Sequence, residues 1–485
     1  MELTFIGMIQ VVIGILVVFF GSVRSALIFL LVSALFEGSA AIALPSLGGS
    51  TIPPVQFALL FTTLRILAPK GGYVALLPSA IADNKWYVLF AIYGMATAYL
   101  GPRMFGGAIN VFPMQPDPSL GPFGTVPLGP TPQNLTAGLY LFGAFMLAIT
   151  SYIFCRVPNA PAALVKALVL ISWLHILTGL ADILTRGTGM ESLLSVFRNS
   201  NYSALDNSIA GFVRIRGVLP EASSYAGLGF ALFVANAEMW YRSINPRATG
   251  LLASLLALIL FFSTASTAYV ALAAFGIFFL LRAILFPNAA PGGKLFKAAF
   301  LGFGILVALC ILLAIIPRLP FAVYELIMDM TVGKPASDSG QQRLFWAMQG
   351  WHAFLSSYGL GVGPGSFRSS SIVTAIMGSM GLVGLITFGL HLKQVFEGSK
   401  RSTWGAGYTF EQSLAGALGT AAVFSLVPAA ISSPHAIPSA LFSIMASAAI
   451  ALRCLSAPQS VTPDRPANEA PRGPISSHQW QGRHA

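Results

Sequence analysis

The chain has 485 residues, 55% hydrophobic and only 9% charged, with a net charge of +11 and three cysteines. A soluble globular protein is nearer 25% charged, so that class is excluded. The cysteines (Cys155, Cys310, Cys454) are too scattered for a disulfide framework or a spaced metal site. No basic-aromatic interleaving accompanies the positive charge, so it points to cytoplasmic loops and anionic headgroups and not to nucleic acid.

Apolar runs of about 20 residues, long enough to cross a bilayer, recur along the chain. The first, 4–21, lacks a basic start and a small-residue cleavage site, so it reads as a retained helix and not a signal peptide. Further spans are expected at 25–44, 53–69, 86–104, 135–155 and 162–183. After them come 223–241, 248–263, 266–286, 295–316, 370–392, 409–431 and 437–455. Segment 73–84 reads as a short re-entrant or interfacial piece. The fold class is therefore all-α, a polytopic transmembrane bundle of about 12–14 spans. Residues 1–455 form the membrane domain, and 456–485, rich in Pro, Ser and Gln, a disordered cytoplasmic tail.

Short loops carrying Arg24, Arg65, Lys85, Arg156, Arg242, Arg282 and Lys393 define the cytoplasmic side by the positive-inside rule. The other side receives three long loops, about 103–134, 184–222 and 317–369. The first is rich in Pro and Gly and reads as an irregular surface loop. The other two are large and charged, and they hold arginine where positive charge is usually sparse.

In the second loop Arg214 and Arg216 stand two apart, so in an extended strand they would point the same way. Glu221 follows, with Pro220 before it, at the start of the next span. A guanidinium fork matches phosphate oxygens bidentately, so this cluster is a candidate diphosphate site. Glu221 beside the pair is the candidate base. In the third loop Glu325 and Asp329 stand at helical spacing, and 341–357 reads as an amphipathic helix on the membrane face, with Trp346 and Trp351 suited to the interface. Gly359, Gly361, Gly363 and Gly365 then form a turn before Arg368 whose backbone N–H groups are a possible anion cradle. Within the spans, Glu37 is an ionisable group at mid-span, with Arg65 as a possible partner. His175 and Asp182 are placed to line the same cavity as the arginines. His352 is the histidine nearest to Arg343, and His435 reads as an exposed loop residue.

The order Arg214-x-Arg216-Gly217-x-x-x-Glu221, then Arg343 with Trp346 close behind, then Gly361-x-Gly363-x-Gly365-x-Phe367 and a glycine-rich span resembles the O-antigen polymerase and O-antigen ligase superfamily. The resemblance covers roughly 200–390. It implies a metal-independent, cofactor-free glycosyltransferase of the bacterial inner membrane whose active site faces the periplasm. Its donor would be a glycan on undecaprenyl diphosphate, and its partners would include membrane lipids and a chain-length regulator. By matching position, Arg214 or Arg216 and Arg343 would engage the diphosphate. Arg214, Arg216, Arg343 and Arg368 then make up the diphosphate-binding set, and Arg216 and Arg343 with Glu221, placed beside the arginine pair, the catalytic set. The ligase branch is expected to show a histidine after the glycine motif, where this chain reads Arg368-Ser369-Ser370-Ser371. It also often has an arginine in the tight loop that here reads Ser263-Thr264-Ala265-Ser266-Thr267. Both departures favour a polymerase of exopolysaccharide or O-antigen repeat units. A ligase and a lipid-linked oligosaccharide flippase are the alternatives.

Overall fold

The structure, a computed structural model, describes residues 1–45, 49–68, 72–115, 118–199, 208–209, 212–285, 337–403 and 409–456, with isolated positions between 293 and 311. The expected span 295–316 (apart from those positions), Glu325 with Asp329, and the tail beyond residue 456 lie outside the described residues.

Helices occupy most of the apolar runs. In chain order they are α1 (Phe5–Phe19), α2 (Val23–Ala34), α3 (Pro54–Leu67), α4 (Leu77–Asp83), α5 (Lys85–Met104), α6 (Pro132–Cys155) and α7 (Ala160–Leu184). After the short α8 (Glu191–Ser195) come α9 (Ala222–Tyr241), α10 (Pro246–Phe262), α11 (Ser266–Leu285), α12 (Asp338–Ser356), α13 (Ile372–Thr403), α14 (Phe410–Ser432) and α15 (Ala440–Ser456). Five of these (α6, α7, α11, α13 and α14) are long and apolar enough to cross a membrane. The protein is a helical membrane protein.

Exposure separates the centre of the bundle from its rim. Every residue from Leu441 to Leu452 in α15 is at most 3% exposed. A helix apolar all round needs neighbours all round, and α15 has them in α6, α13 and α14. By contrast, only 22% of the apolar window of α11 is buried. Ile277, Leu280, Leu281 and Ile284 face outward there, as a lipid-facing stripe would. Arg242 and Arg282, read from sequence as loop charges, are instead buried in ion pairs with Glu238 at 3.2 and 2.8 Å.

The second span departs from its expected length. The run 25–44 is not one helix: α2 stops at Ala34, a turn follows, and Ile42–Leu44 becomes strand β2. Strand β2 pairs with β1 (Glu2–Leu3) and β3 (Ser50–Ile52), both antiparallel. The turn holds Glu37-Gly38-Ser39, polar and small residues with little reason to stay helical. Glu37 is therefore past the helix end and not at mid-span. The Pro-rich 103–134 loop likewise contains a small hairpin, β4 (Asn110–Val111) with β5 (Val126–Pro127). The all-α reading thus takes a minor correction at one end of the bundle.

The glycine motif is a wedge and not an anion cradle. Val362 and Gly363 donate their N–H groups to Gly378 and Ser379 carbonyls, each at 2.9 Å, and Gly361 donates to Ser357 Oγ at 2.9 Å. These bonds are possible because α13 breaks at Gly381 (φ 58°, ψ −152°), where Leu382 N–H turns to Gly359 O at 2.9 Å. A Cβ at Gly381 would lie 1.9 Å from Gly359 O. Gly381→Ala is expected to cost about 1–3 kcal/mol from backbone strain alone, read as a lower Tm of the purified protein in detergent. An unchanged Tm would contradict the break.

Candidate functional site

Long loops and turns meet at one end of the bundle. Arg368 N–H donates to Phe112 O and Ser369 N–H to Pro434 O, each at 3.0 Å. Ser39 Oγ donates to Phe197 O, and Ala40 N–H to Asn199 Oδ1 at 2.8 Å. These contacts join segments far apart in sequence, and a cavity of about 630 Å³ opens between them.

Asp182, at the end of α7, holds the 214–217 segment in place. Its carboxylate pairs with Arg186 at 2.8 Å and with Arg198, and accepts the Arg216 backbone N–H at 3.0 Å. Arg186 in turn donates to Arg214 O at 2.6 Å, and Arg198 Nε to Gly217 O at 2.9 Å. Side chains thus take the backbone groups that a neighbouring strand would otherwise take. Leu219 N–H then closes a turn on Arg216 O at 2.9 Å.

Because the segment is a braced coil and not a strand, Arg214 and Arg216 diverge. Arg214 lines the cavity; Arg216 does not. Burial, followed by the charge of Arg343, holds the Arg214 guanidinium below its ordinary pKa, with Glu221 acting the other way. For Arg216 the cause is again burial, followed by the charge of Arg198, with Asp182 acting the other way. Arg214 Nε is buried with no hydrogen-bond partner among the described residues.

Arg343 and Arg368 complete the basic lining. Arg343 sits on α12, its Nη1 3.5 Å from Ile431 O, and its own carbonyl accepts from Ser370 Oγ at 2.6 Å. Arg368 lies 4.6 Å over the Trp346 ring, a cation–π contact that fixes the guanidinium's plane. Trp346, suited by type to the membrane interface, lines the cavity. Glu221 caps α9 and accepts from Ser223 Oγ at 2.8 Å. Of the five residues singled out from sequence, Arg214, Glu221, Arg343 and Arg368 therefore share one cavity.

Two lining residues were read otherwise in the sequence. Glu37 faces the cavity, and its Oε1 accepts the Ala440 N–H at 3.3 Å. Burial raises its carboxyl from 4.5 to about 7, against the lowering effect of that hydrogen bond. The pairing with Arg65 does not form, since Arg65 Nε donates to Gly21 O at 2.8 Å. His435 is not exposed but partly buried beside the same cavity. Its Nδ1 accepts the Ile437 N–H at 3.3 Å. Burial, with the charge of Arg368 adding to it, lowers the imidazole's pKa.

Three other expected contributors are elsewhere. His175 stacks on Tyr225 with ring centroids 4.0 Å apart, Asp182 braces the loop, and His352 is exposed. Among the described residues, no three His, Cys, Asp or Glu side chains stand close enough to share a metal ion.

Chemically, the site offers three guanidinium groups, two carboxylates, an imidazole and several serine hydroxyls. Such a lining suits a polyanion with polar substituents. Comparison of the chain with known protein families and with curated proteins gives no match.

Proposed function

We propose that the protein is a glycosyltransferase of the bacterial inner membrane, with about 12–14 spans and its cavity open to the periplasm. In this reading it polymerises undecaprenyl-diphosphate-linked repeat units into exopolysaccharide or O-antigen, in concert with a chain-length regulator. The observation that supports this reading is the convergence of Arg214, Arg343 and Arg368, from three separate segments, on one cavity. The resemblance of residues 200–390 to the O-antigen polymerase and ligase superfamily supplies the substrate class.

Undecaprenyl diphosphate is a good leaving group once its charge is held. Preorganised cations in a site screened from water stabilise the charge that develops as the anomeric C–O bond breaks. Arg214 and Arg343 take the diphosphate oxygens, and Arg368, packed on Trp346, completes the neutralisation. The acceptor hydroxyl loses its proton to a carboxylate, and the cavity holds two, Glu221 and Glu37. The cavity of about 630 Å³ lies in the size range of small-molecule sites, and in this reading it takes the diphosphate and the sugar beside it.

Deleting the gene tests the reading when polysaccharide and lipid-linked intermediates are analysed together. Single repeat units on the carrier are the expected result. Polymer retained on the carrier indicates a ligase, and intermediates held on the inner leaflet indicate a flippase.

A further inference from the structure

We infer that Glu37, and not Glu221, is the proton acceptor for the attacking hydroxyl in the arginine-lined cavity. This rests on the glycosyl-transfer reading above and identifies a residue for its unassigned step. The acceptor oxygen forms a bond to the anomeric carbon, and the bond from that carbon to the diphosphate oxygen breaks. The hydroxyl proton passes to the Glu37 carboxylate and from there to water, and undecaprenyl diphosphate leaves with the electron pair.

Three observations carry the assignment. The first is placement. Glu37 lies on a turn between α2 and β2, at the wall formed by the start of α15, and it faces the cavity along with the arginines.

The second is rigidity. A Cβ on Gly38 would lie 2.6 Å from Pro220 Cδ and 2.9 Å from Leu219 Cα, so the turn is seated directly on the segment leading to Glu221. The Ser39 and Ala40 bonds to Phe197 and Asn199 fix its other side, and Phe36 stacks on Phe197 at 5.4 Å. A carboxylate held on both sides keeps its aim, which positioned proton transfer requires.

The third is the contrast between the two carboxylates. Glu221 already serves as a counter-charge to Arg214 and accepts the Ser223 hydroxyl. Glu37 is partly buried and accepts the Ala440 N–H, and desolvation pushes its carboxyl up to about 7. A base works best when its pKa lies close to the operating pH. The charged or titratable groups around the cavity are Arg214 and Glu221 from the 214–221 segment, Arg343 from α12, Arg368, His435 before α15 and Tyr140 from α6. For Glu37 burial raises the carboxyl and the Ala440 N–H opposes it, and burial prevails.

The test uses the full chain in phosphatidylglycerol nanodiscs. Undecaprenyl diphosphate serves as the binding probe, and the native lipid-linked saccharide from a strain lacking the chain serves as substrate. Wild-type turnover is expected to rise with pH through about 7 as Glu37 loses its proton. Glu37→Gln is expected to lose about 100-fold or more in turnover and to lose that limb, with undecaprenyl diphosphate binding retained. Glu37→Asp should keep the limb with partial turnover, and Glu221→Gln should keep it at whatever rate remains.

Wild-type turnover in Glu37→Gln overturns the assignment, as does a limb that survives in it. So does a limb that disappears in Glu221→Gln. Loss of diphosphate binding in both Glu37 variants indicates a purely structural residue and also overturns it. Failure of the wild type itself to bind undecaprenyl diphosphate defeats the underlying reading, a result distinct from all of these.

Discussion

Arg343→Ala and Arg214→Ala should each abolish polymer while protein level and lipid-linked repeat units persist. Both side chains line the cavity, and each lies within electrostatic reach of the other. Two guanidinium groups held that close repel one another unless an anion sits between them, which is why the charge of Arg343 lowers the pKa of Arg214. Removing a preorganised charge stabiliser typically costs about 10²–10³ in turnover. Losing either arginine also leaves the diphosphate partly uncompensated in a low-dielectric site. Arg216→Ala makes the internal comparison. Its side chain does not line the cavity, so its deficit should be smaller than that of Arg214→Ala and should appear as lower stability. Analysis of polymer and of the lipid-linked pool in the three strains distinguishes these outcomes. Full polymer from Arg214→Ala and Arg343→Ala would remove the basis for the site.

Asp182→Ala should be among the most damaging single changes to stability outside the cavity. Its side chain is 4% exposed and that of Arg198 6%, so both charges of the pair are buried. Deleting one partner of a buried pair costs about 3–5 kcal/mol, because the other charge is left uncompensated in the interior. Here Arg198 and Arg186 would lose a common partner, and the Arg216 N–H would lose its acceptor. Among the described residues the 214–217 coil has no strand neighbour to fall back on, so Arg214 should lose its place in the cavity at the same time. Thermal unfolding in detergent should show a sharply lower Tm, and Asp182→Asn should recover part of it by keeping an acceptor. A wild-type Tm for Asp182→Ala would contradict the bracing role.

The apolar runs were legible because a helix that must be apolar along its length leaves an unambiguous composition signal. The amphipathic stretch 341–357 was equally plain, and it appears as α12. Arg214, Glu221, Arg343 and Arg368 were legible as charges out of keeping with their surroundings. Glu37 was legible as an ionisable group out of place, but its position in the cavity was not, because it sits inside an apolar run whose second half leaves the helix to form a strand. Only the local cluster Glu37-Gly38-Ser39 signals that change, and the β-pairing that favours it comes from residues 2–3 and 50–52. The divergence of Arg214 and Arg216 was also hidden, since it depends on Asp182, 34 positions before Arg216. His435 was read as exposed because a three-residue turn says nothing of the loops that fold over it. The glycine motif showed a need for unusual backbone angles but not the purpose, which is to dock against the break in α13.

Direct binding tests the central claim, that the arginine-lined cavity takes a lipid-linked diphosphate. Undecaprenyl diphosphate and undecaprenol are compared on the purified wild type and on Arg214→Ala/Arg343→Ala in phosphatidylglycerol nanodiscs. The account predicts that only the diphosphate binds well, that salt weakens it, and that the double variant loses it. Equal binding of the two lipids, or diphosphate binding unchanged in the double variant, would contradict it.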